Sequence, residues 1–260
     1  MLLGDHRPKQ PVSLGNASTE VACSLPSRSR CIERVSHGTL LKIARSGTRI
    51  LTLAHAARLA ARGVLIVIVA VAGRRIDAAD AAVARFPLAN RRLVARRIGA
   101  ALRRLDAKAV VASAACGADL LALDAAVRRG MQRRVILPYA EEWFLADSVL
   151  DRPGRWASAF RAQCAAARAA GDLVVVGEGR GSDDAFRAVN EAIVAEAQHL
   201  AAGASPADPA AALAALIVWE GSPRGSDDLT AHLRERMRHL CARVVEVSTI
   251  RRLAPAESHA

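Results

Sequence analysis

The stretch Val110 to Gly130, VVASAACGADLLALDAAVRRG, carries the first chemically equipped residues of the chain. An apolar run gives way to small residues, and Cys116-Gly117-Ala118-Asp119 then opens a helical pattern. Three chemistries fit that order. One is a thiol nucleophile activated at a helix N-terminus. Another is a glycine-eased cradle that presents free helix N–H groups to an anion. The third is a tight strand-to-helix turn with Asp119 as its cap or dipole partner. A thiolate needs a base, and none of the seven histidines (6, 37, 55, 199, 232, 239, 259) directly follows a strand-like run. His232 and His239 stand seven residues apart on one helical pattern and read as surface residues. The expectation is therefore that Ser113, Gly117 and Asp119 line a pocket and that Cys116 is a small packing residue.

Further loops carry comparable residues. In AGRRID (72–77), Gly73 precedes Arg74 and Arg75, whose planar guanidinium groups can each donate two bonds to a phosphate, and Asp77 follows. A solvated basic turn fits the same letters. WEGSPRGSDDLTAHLRERM (219–237) sets Gly221, Gly225 and Ser226 between a strand-like run and a helix, with Ser226 or Asp227 suited to cap that helix. Asp227 and Asp228 would repel a bare phosphate and would suit ribose hydroxyls better. GEGRGSDDAF (177–186) has the same glycine-then-acid character and reads as a lid. Glu141, Glu142, Asp119 and Asp227 are the candidate acid–base groups, although no sequence spacing makes a defined carboxylate pair. No G-x-G-x-x-G follows the first strand-like run and no G-x-x-x-x-G-K-[ST] occurs, so the usual dinucleotide fingerprint and the P-loop are both absent.

Residues of this kind have to be held by a framework, and the framework is periodic. Apolar, β-branched runs occur at 64–71, 109–113, 133–138, 172–176, 213–219 and 243–248. Helical patterns separate them: Val94, Ile98, Ala101, Leu102 and Leu105 share one face over 90–105, and Phe186, Val189, Ile193, Ala197 and Leu200 keep the same period over 183–200. Strands alternating with helices predict a three-layer α/β Rossmann-like domain over 63–250, with a mostly parallel sheet of five to six strands. In such sheets ligands sit outside the carboxyl ends of the strands. The loops to watch are therefore those after each run, including Pro138-Tyr139. Ahead of this domain, 1–37 reads as a disordered tail and 38–62 as a short helical lead-in; 251–260 reads as a frayed end.

Composition narrows the partners. The 260 residues carry a formal charge of +12, with only three lysines (Lys9, Lys42, Lys108) among the 37 basic residues. The first 105 residues hold 19 Lys/Arg against 5 Asp/Glu, and the remainder 18 against 20. A basic half can face a small anion, nucleic acid or an acidic lipid surface, and a solvated arginine face accounts for the count equally well. The five cysteines (23, 31, 116, 164, 241) lack paired metal-site spacing and suit free thiols in a reducing cytosol. The longest apolar run, VLIVIVAVA (64–72), is far shorter than the ~20 residues of a membrane helix, and the N-terminus lacks the apolar core of a signal peptide. The location expected is the cytoplasm, with no metal and no cofactor; self-association stays open.

The ordered segments VAVAGRRID, RFP, VVASAACGADLLALDAAVRRGMQRRVILPYAEEWFLADSV and LIVWEG together resemble the SLOG superfamily. That superfamily groups the DNA-processing protein A fold, LOG-type phosphoribohydrolases and Rossmann-like sensor domains. The likeness covers about 64–248 and is closest to the bacterial sensor-like branch. It implies a pocket for a nucleotide or nucleotide-derived ligand at the strand C-termini. Carried over by position, Gly73, Arg74 and Asp77 belong to its first loop, and Ser113, Gly117 and Asp119 to its second. Pro138 ends the third strand, and Asn190, Gly221, Gly225 and Ser226 complete the wall. Arg74 stands where the sensor-like relatives are expected to have His. GSPRGSDDLTAHL replaces the P-G-G-x-G-T-x-x-E signature of the LOG enzymes, so binding is expected over catalysis. Two alternatives follow: cleavage or transfer of an N-glycosidic bond, with Glu142, Glu220 or Asp119 as the carboxylate, and nucleic-acid binding of the DNA-processing type.

Overall fold

The computed structural model describes residues 66–177 and 183–251. The expected tail, the helical lead-in, residues 178–182 of the 177–186 loop and the end of the chain lie outside those residues. Six strands form one sheet: β1 (Val67–Gly73), β2 (Ala107–Ala112), β3 (Gln132–Leu137), β4 (Leu173–Val175), β5 (Leu213–Trp219) and β6 (Arg243–Ser248). Every pairing is parallel and the order is β4-β3-β2-β1-β5-β6. The sequence predicts five to six mostly parallel strands; the described sheet has six, all parallel.

The helices α1 (Arg91–Arg104), α2 (Ala118–Val127), α3 (Glu141–Leu145) and α4 (Ala157–Ala170) connect β1 through β4. α5 (Asp183–Ala204) and α6 (Leu229–His239) connect β4 to β5 and β5 to β6. Strand residues alternate between the two faces, as a two-residue period requires. Val67, Val69, Val71, Val110, Leu137 and Leu216 enter the core shared with α1, α2 and α4. Ile68, Ala70, Val111, Ile136, Ala215 and Ile217 enter the core under α5 and α6. The helical faces read from the sequence do the covering: Val94, Ile98, Ala101, Leu102 and Leu105 are buried on the first side, and Val189, Ile193, Ala197 and Leu200 on the second.

The order has a direct consequence. From β1 the chain steps outward through β2, β3 and β4 with its helices on one face. It then returns to the other side of β1 with its helices on the opposite face. With right-handed crossovers, a reversal of direction demands a change of face. The crossovers to either side of β1 diverge, so the β1 and β5 C-termini form the topological switch point of the sheet.

One buried charge lies away from that point. Arg134 on β3 has Nε 2.9 Å from Glu196 on α5 and Nη1 3.5 Å from Asp172. Its Nη1 also donates to the Gly171 carbonyl at 3.1 Å. Burial raises the Asp172 carboxyl above its ordinary pKa range, against the pull of Arg134. The arginine ties α5 and the start of β4 to β3, a strand read from the sequence as apolar.

Candidate functional site

The loops after β1 and β5 meet at the switch point through Arg74. Its guanidinium is buried, at 3% exposure, and donates Nε to Glu220 Oε2 at 2.7 Å and Nη2 to Glu220 Oε1 at 3.1 Å. Nη1 reaches Asp228 Oδ2 at 2.6 Å, and Nη2 also reaches the Ser222 carbonyl at 2.6 Å. The group lies 5.6 Å from the Trp219 ring centroid, packing the cation on the aromatic face. Burial opposes the Arg74 charge, but the hydrogen bonds to Glu220 and Asp228 outweigh it and raise its pKa. Four bonds to protein acceptors make Arg74 the clasp between the two loops.

The carboxylates are shaped by the same contacts. Glu220 also accepts from Arg85 Nη1. Burial pushes the Glu220 carboxyl up, and the bonds from Arg74, its own backbone and Arg85 pull it below the ordinary range. Asp228 is the N-cap of α6: its Oδ1 accepts the N–H groups of Thr230 at 2.9 Å and Ala231 at 3.1 Å. Its Oδ2 accepts the Arg224 N–H at 2.7 Å beside Arg74. Burial is again outweighed, here by the N–H groups of Arg224 and Ala231 and by Arg74, so the carboxyl is held low. The sequence reading gave this cap to Ser226 or Asp227. The structure gives it to Asp228, because only that carboxylate turns inward to meet both the helix N–H groups and Arg74. Ser226 and Asp227 are exposed.

At the neighbouring loop, Gly117 has φ 110°, and a Cβ there would stand 2.7 Å from the Arg74 carbonyl oxygen and 2.9 Å from the Ile76 nitrogen. The close approach that this glycine permits is thus to the chain's own backbone. Ala118 N–H donates to Arg74 O at 3.1 Å, and Ile76 N–H to Cys116 O at 3.3 Å. Gly73 serves the same crossing, since a Cβ on it would meet Ala118 Cβ and Val218 O at 2.5 Å. The first N–H of α2 therefore has a partner from the β1 loop.

Asp119, in the first turn of α2, is buried and accepts the Ala115 N–H at 3.3 Å. Burial raises its pKa to about 7, against that N–H and the charge of Arg75. Cys116 is fully buried, and burial pushes its thiol up to about 11, which removes it as a nucleophile at neutral pH. Arg75 turns away from Arg74: its Nη1 bonds the Asp147 carbonyl at 3.0 Å and both Asp151 carboxylate oxygens, at 3.0 and 2.8 Å. A single π turn over Ala146–Leu150 follows α3. Such turns break the regular carbonyl ladder, and here Ser148 O accepts the Cys116 N–H at 3.0 Å while Asp147 O faces Arg75.

The other predicted residues scatter around this centre. Asp77 accepts the N–H groups of Arg85 at 3.0 Å and Phe86 at 2.9 Å, closing the 77–86 loop that brings Arg85 to Glu220. Ser113 is half-buried beyond β2. Pro138 is buried, and its carbonyl accepts the Gly177 N–H at 2.9 Å beyond β3. Asn190 donates to the Leu229 carbonyl at 2.7 Å and braces the start of α6. Gly221 and Gly225 have φ of 110° and 155° in an exposed loop with open space around each. Glu142 is exposed, and Glu141 pairs with Arg168.

Sequence reasoning missed Arg85 and Arg224 as the accessible cations here. Arg224 lies inside GSPRGSDD, between two glycines already singled out, and that position was the available signal. Its side chain is 56% exposed, with Nε 3.7 Å from Asp228 Oδ2, an oxygen already shared with Arg74. Burial lowers its pKa first, and the repulsion of Arg74, Arg75 and Arg85 adds to this against the attraction of Asp228. Three guanidinium groups therefore act on Arg224 at the switch point. Among the described residues no cluster of three metal-ligating side chains occurs, and no helix is long and apolar enough to cross a membrane. No protein-family model matches the chain, and no curated protein matches it either.

Proposed function

We propose that this chain binds an anionic, nucleotide-derived ligand at the C-terminal ends of β1 and β5, as its resemblance to the SLOG superfamily implies. The observation that carries the reading is Arg224. It stands on the exposed Gly221–Asp227 loop, within the repulsive field of Arg74, Arg75 and Arg85, and the carboxylate nearest it is already engaged by Arg74. A phosphate group between Arg224 and Arg85 would relieve that repulsion and take bidentate bonds from planar donors. The glycine loop lets backbone N–H groups turn toward the same anion. Arg74 would act indirectly by holding Glu220, Ser222 and Asp228 in place.

Calorimetric titration with ADP and with adenosine tests this reading. The nucleotide is expected to bind and the nucleoside to fail, because the recognition is of phosphate. Equal binding of the two would reject it. Asp119 favours a second reading, N-glycosidic cleavage, since a buried carboxyl titrating at about 7 is a competent proton donor. Release of free base from a nucleoside monophosphate would support that reading, and an Asp119→Asn variant should then lose the activity.

A further inference from the structure

We propose that the groove between α1 and α2 docks the phosphodiester backbone of duplex nucleic acid. The groove has a volume of about 580 Å³, with a floor of Ala95, Gly99 and Ala125 and a rim of Arg96, Arg103, Arg128 and Arg129. A cavity of about 230 Å³ shares Arg103 and Arg129 and adds Lys108. It lies beside Ala107 at the start of β2 and Met131 just before β3, at the end of the sheet opposite the switch point. The surface is therefore independent of the ligand site proposed above.

The charge there is unusually uncompensated. α1 carries six arginines and no carboxylate in its 14 residues. Arg96 and Arg103 are exposed, and among the described residues neither guanidinium group has an ion-pair or hydrogen-bond partner. Arg128 pairs with Asp124 and Lys108 with Asp106 at the surface, contacts weak enough to exchange for a phosphate. Arg96 and Arg103 lie seven residues apart, about 10 Å along the helix axis. Arg128 and Arg129 supply the facing wall from the end of α2.

Arg129 reaches across the floor, its Nη2 donating to the Gly99 carbonyl at 2.9 Å. A Cβ at Gly99 would meet only Arg129 Nη2, at 4.0 Å, so packing does not demand glycine there. Glycine inside a helix costs about 1 kcal/mol relative to alanine, and the missing side chain leaves the groove deeper there by a methyl group. No aromatic residue lines either cavity, so bases have nothing to stack on and the contact is to backbone. A flat acidic bilayer would leave the groove empty, and it would need apolar side chains to insert beside the arginines. The exposed large hydrophobic residue on these two helices is Val127 alone.

The test uses the full chain, a fluorescently labelled mixed-sequence DNA duplex and phosphatidylserine vesicles. The wild type is expected to bind the duplex at low salt, with log affinity falling against log salt at a slope of about −4 for four arginine contacts. Arg96→Glu/Arg103→Glu should weaken binding more than tenfold and flatten the slope by about 2. Arg96→Gln/Arg103→Gln should weaken it in the same direction by less. Arg161→Glu, on the exposed side of α4, should leave it unchanged. All variants are expected to keep the wild-type melting temperature. Absence of duplex binding at low salt would overturn the proposal. So would affinity and slope unchanged in both groove variants, or groove-dependent binding of vesicles without binding of duplex.

Discussion

Replacing Arg74 by Met keeps the stem packed on Trp219 and removes the guanidinium that joins the β1 and β5 loops. Glu220 and Asp228 would then face an uncharged methyl group inside the protein. Breaking a buried pair by removing one partner costs about 3–5 kcal/mol, because the other charge stays buried. Here the lower end applies. Glu220 keeps Arg85, and Asp228 keeps the N–H groups of Arg224, Thr230 and Ala231. A loss of about 3 kcal/mol in a domain of this size lowers the melting temperature by about 6–12 °C. The pH dependence supplies a second readout. Both carboxyls are held below their ordinary range in the folded state, so their stabilisation is complete above their unfolded pKa values of about 4. It is lost as pH falls through the lower folded values. The gap between wild type and Arg74→Met should therefore stay level from neutral pH to about 5 and narrow below about 4. Thermal unfolding followed by circular dichroism across this range measures both effects. A drop under about 2 °C at neutral pH, or a gap that widens in acid, would refute the view of Arg74 as a clasp.

Three further outcomes follow from the same geometry. Asp119 has its pKa raised to about 7, so its ionisation destabilises the fold as pH rises from about 4 toward 7. Asp119→Asn should gain about 1–3 kcal/mol over wild type at pH 8 and show no gain at pH 4, measured by urea unfolding. Gly117→Ala combines a positive φ with backbone atoms inside 3 Å and should cost about 3 kcal/mol or more. Gly221→Ala, with the same φ but open space, should cost only about 1 kcal/mol, and equal losses at the two positions would contradict the crossing described at Gly117. The buried thiols of Cys116 and Cys164, raised to about 11 and about 12, should resist alkylation until the protein unfolds. Peptide mapping should find the exposed Cys241 labelled well before either.

The framework was legible because its signals are local. Apolar runs with a two-residue alternation and helical faces such as Val94 to Leu105 lie within single elements, and all six expected strands formed. The strand order was not legible, since the return of β5 to the far side of β1 leaves no mark in any one segment. β4 covers Leu173–Val175 of its 172–176 run, and the flanking Asp172 carbonyl and Val176 N–H still bond Val135 and Leu137 of β3. The site divides the same way. The loops that carry Gly73, Arg74, Gly117, Gly221 and Gly225 could be named from the rule that strand C-termini gather ligands. The partners of Arg74 could not, because Glu220 and Asp228 stand 146 and 154 residues away. A residue that reads as a phosphate clamp in its own loop becomes a clasp once those carboxylates arrive, and Arg224 is left as the exposed cation.

The most direct test of the ligand-binding reading is a thermal-shift series with nucleotides, cyclic nucleotides and ADP-ribose-like compounds on wild type and Arg224→Ala. A ligand at a hundredfold excess over its Kd stabilises the native state by about 2.7 kcal/mol. In a domain of this size that raises the wild-type melting temperature by about 5–11 °C. Because Arg224 is exposed, its removal should leave the ligand-free melting temperature unchanged while most of the shift disappears. A wild type that no phosphate-bearing compound stabilises, or an Arg224→Ala variant stabilised as strongly as wild type, would contradict the reading.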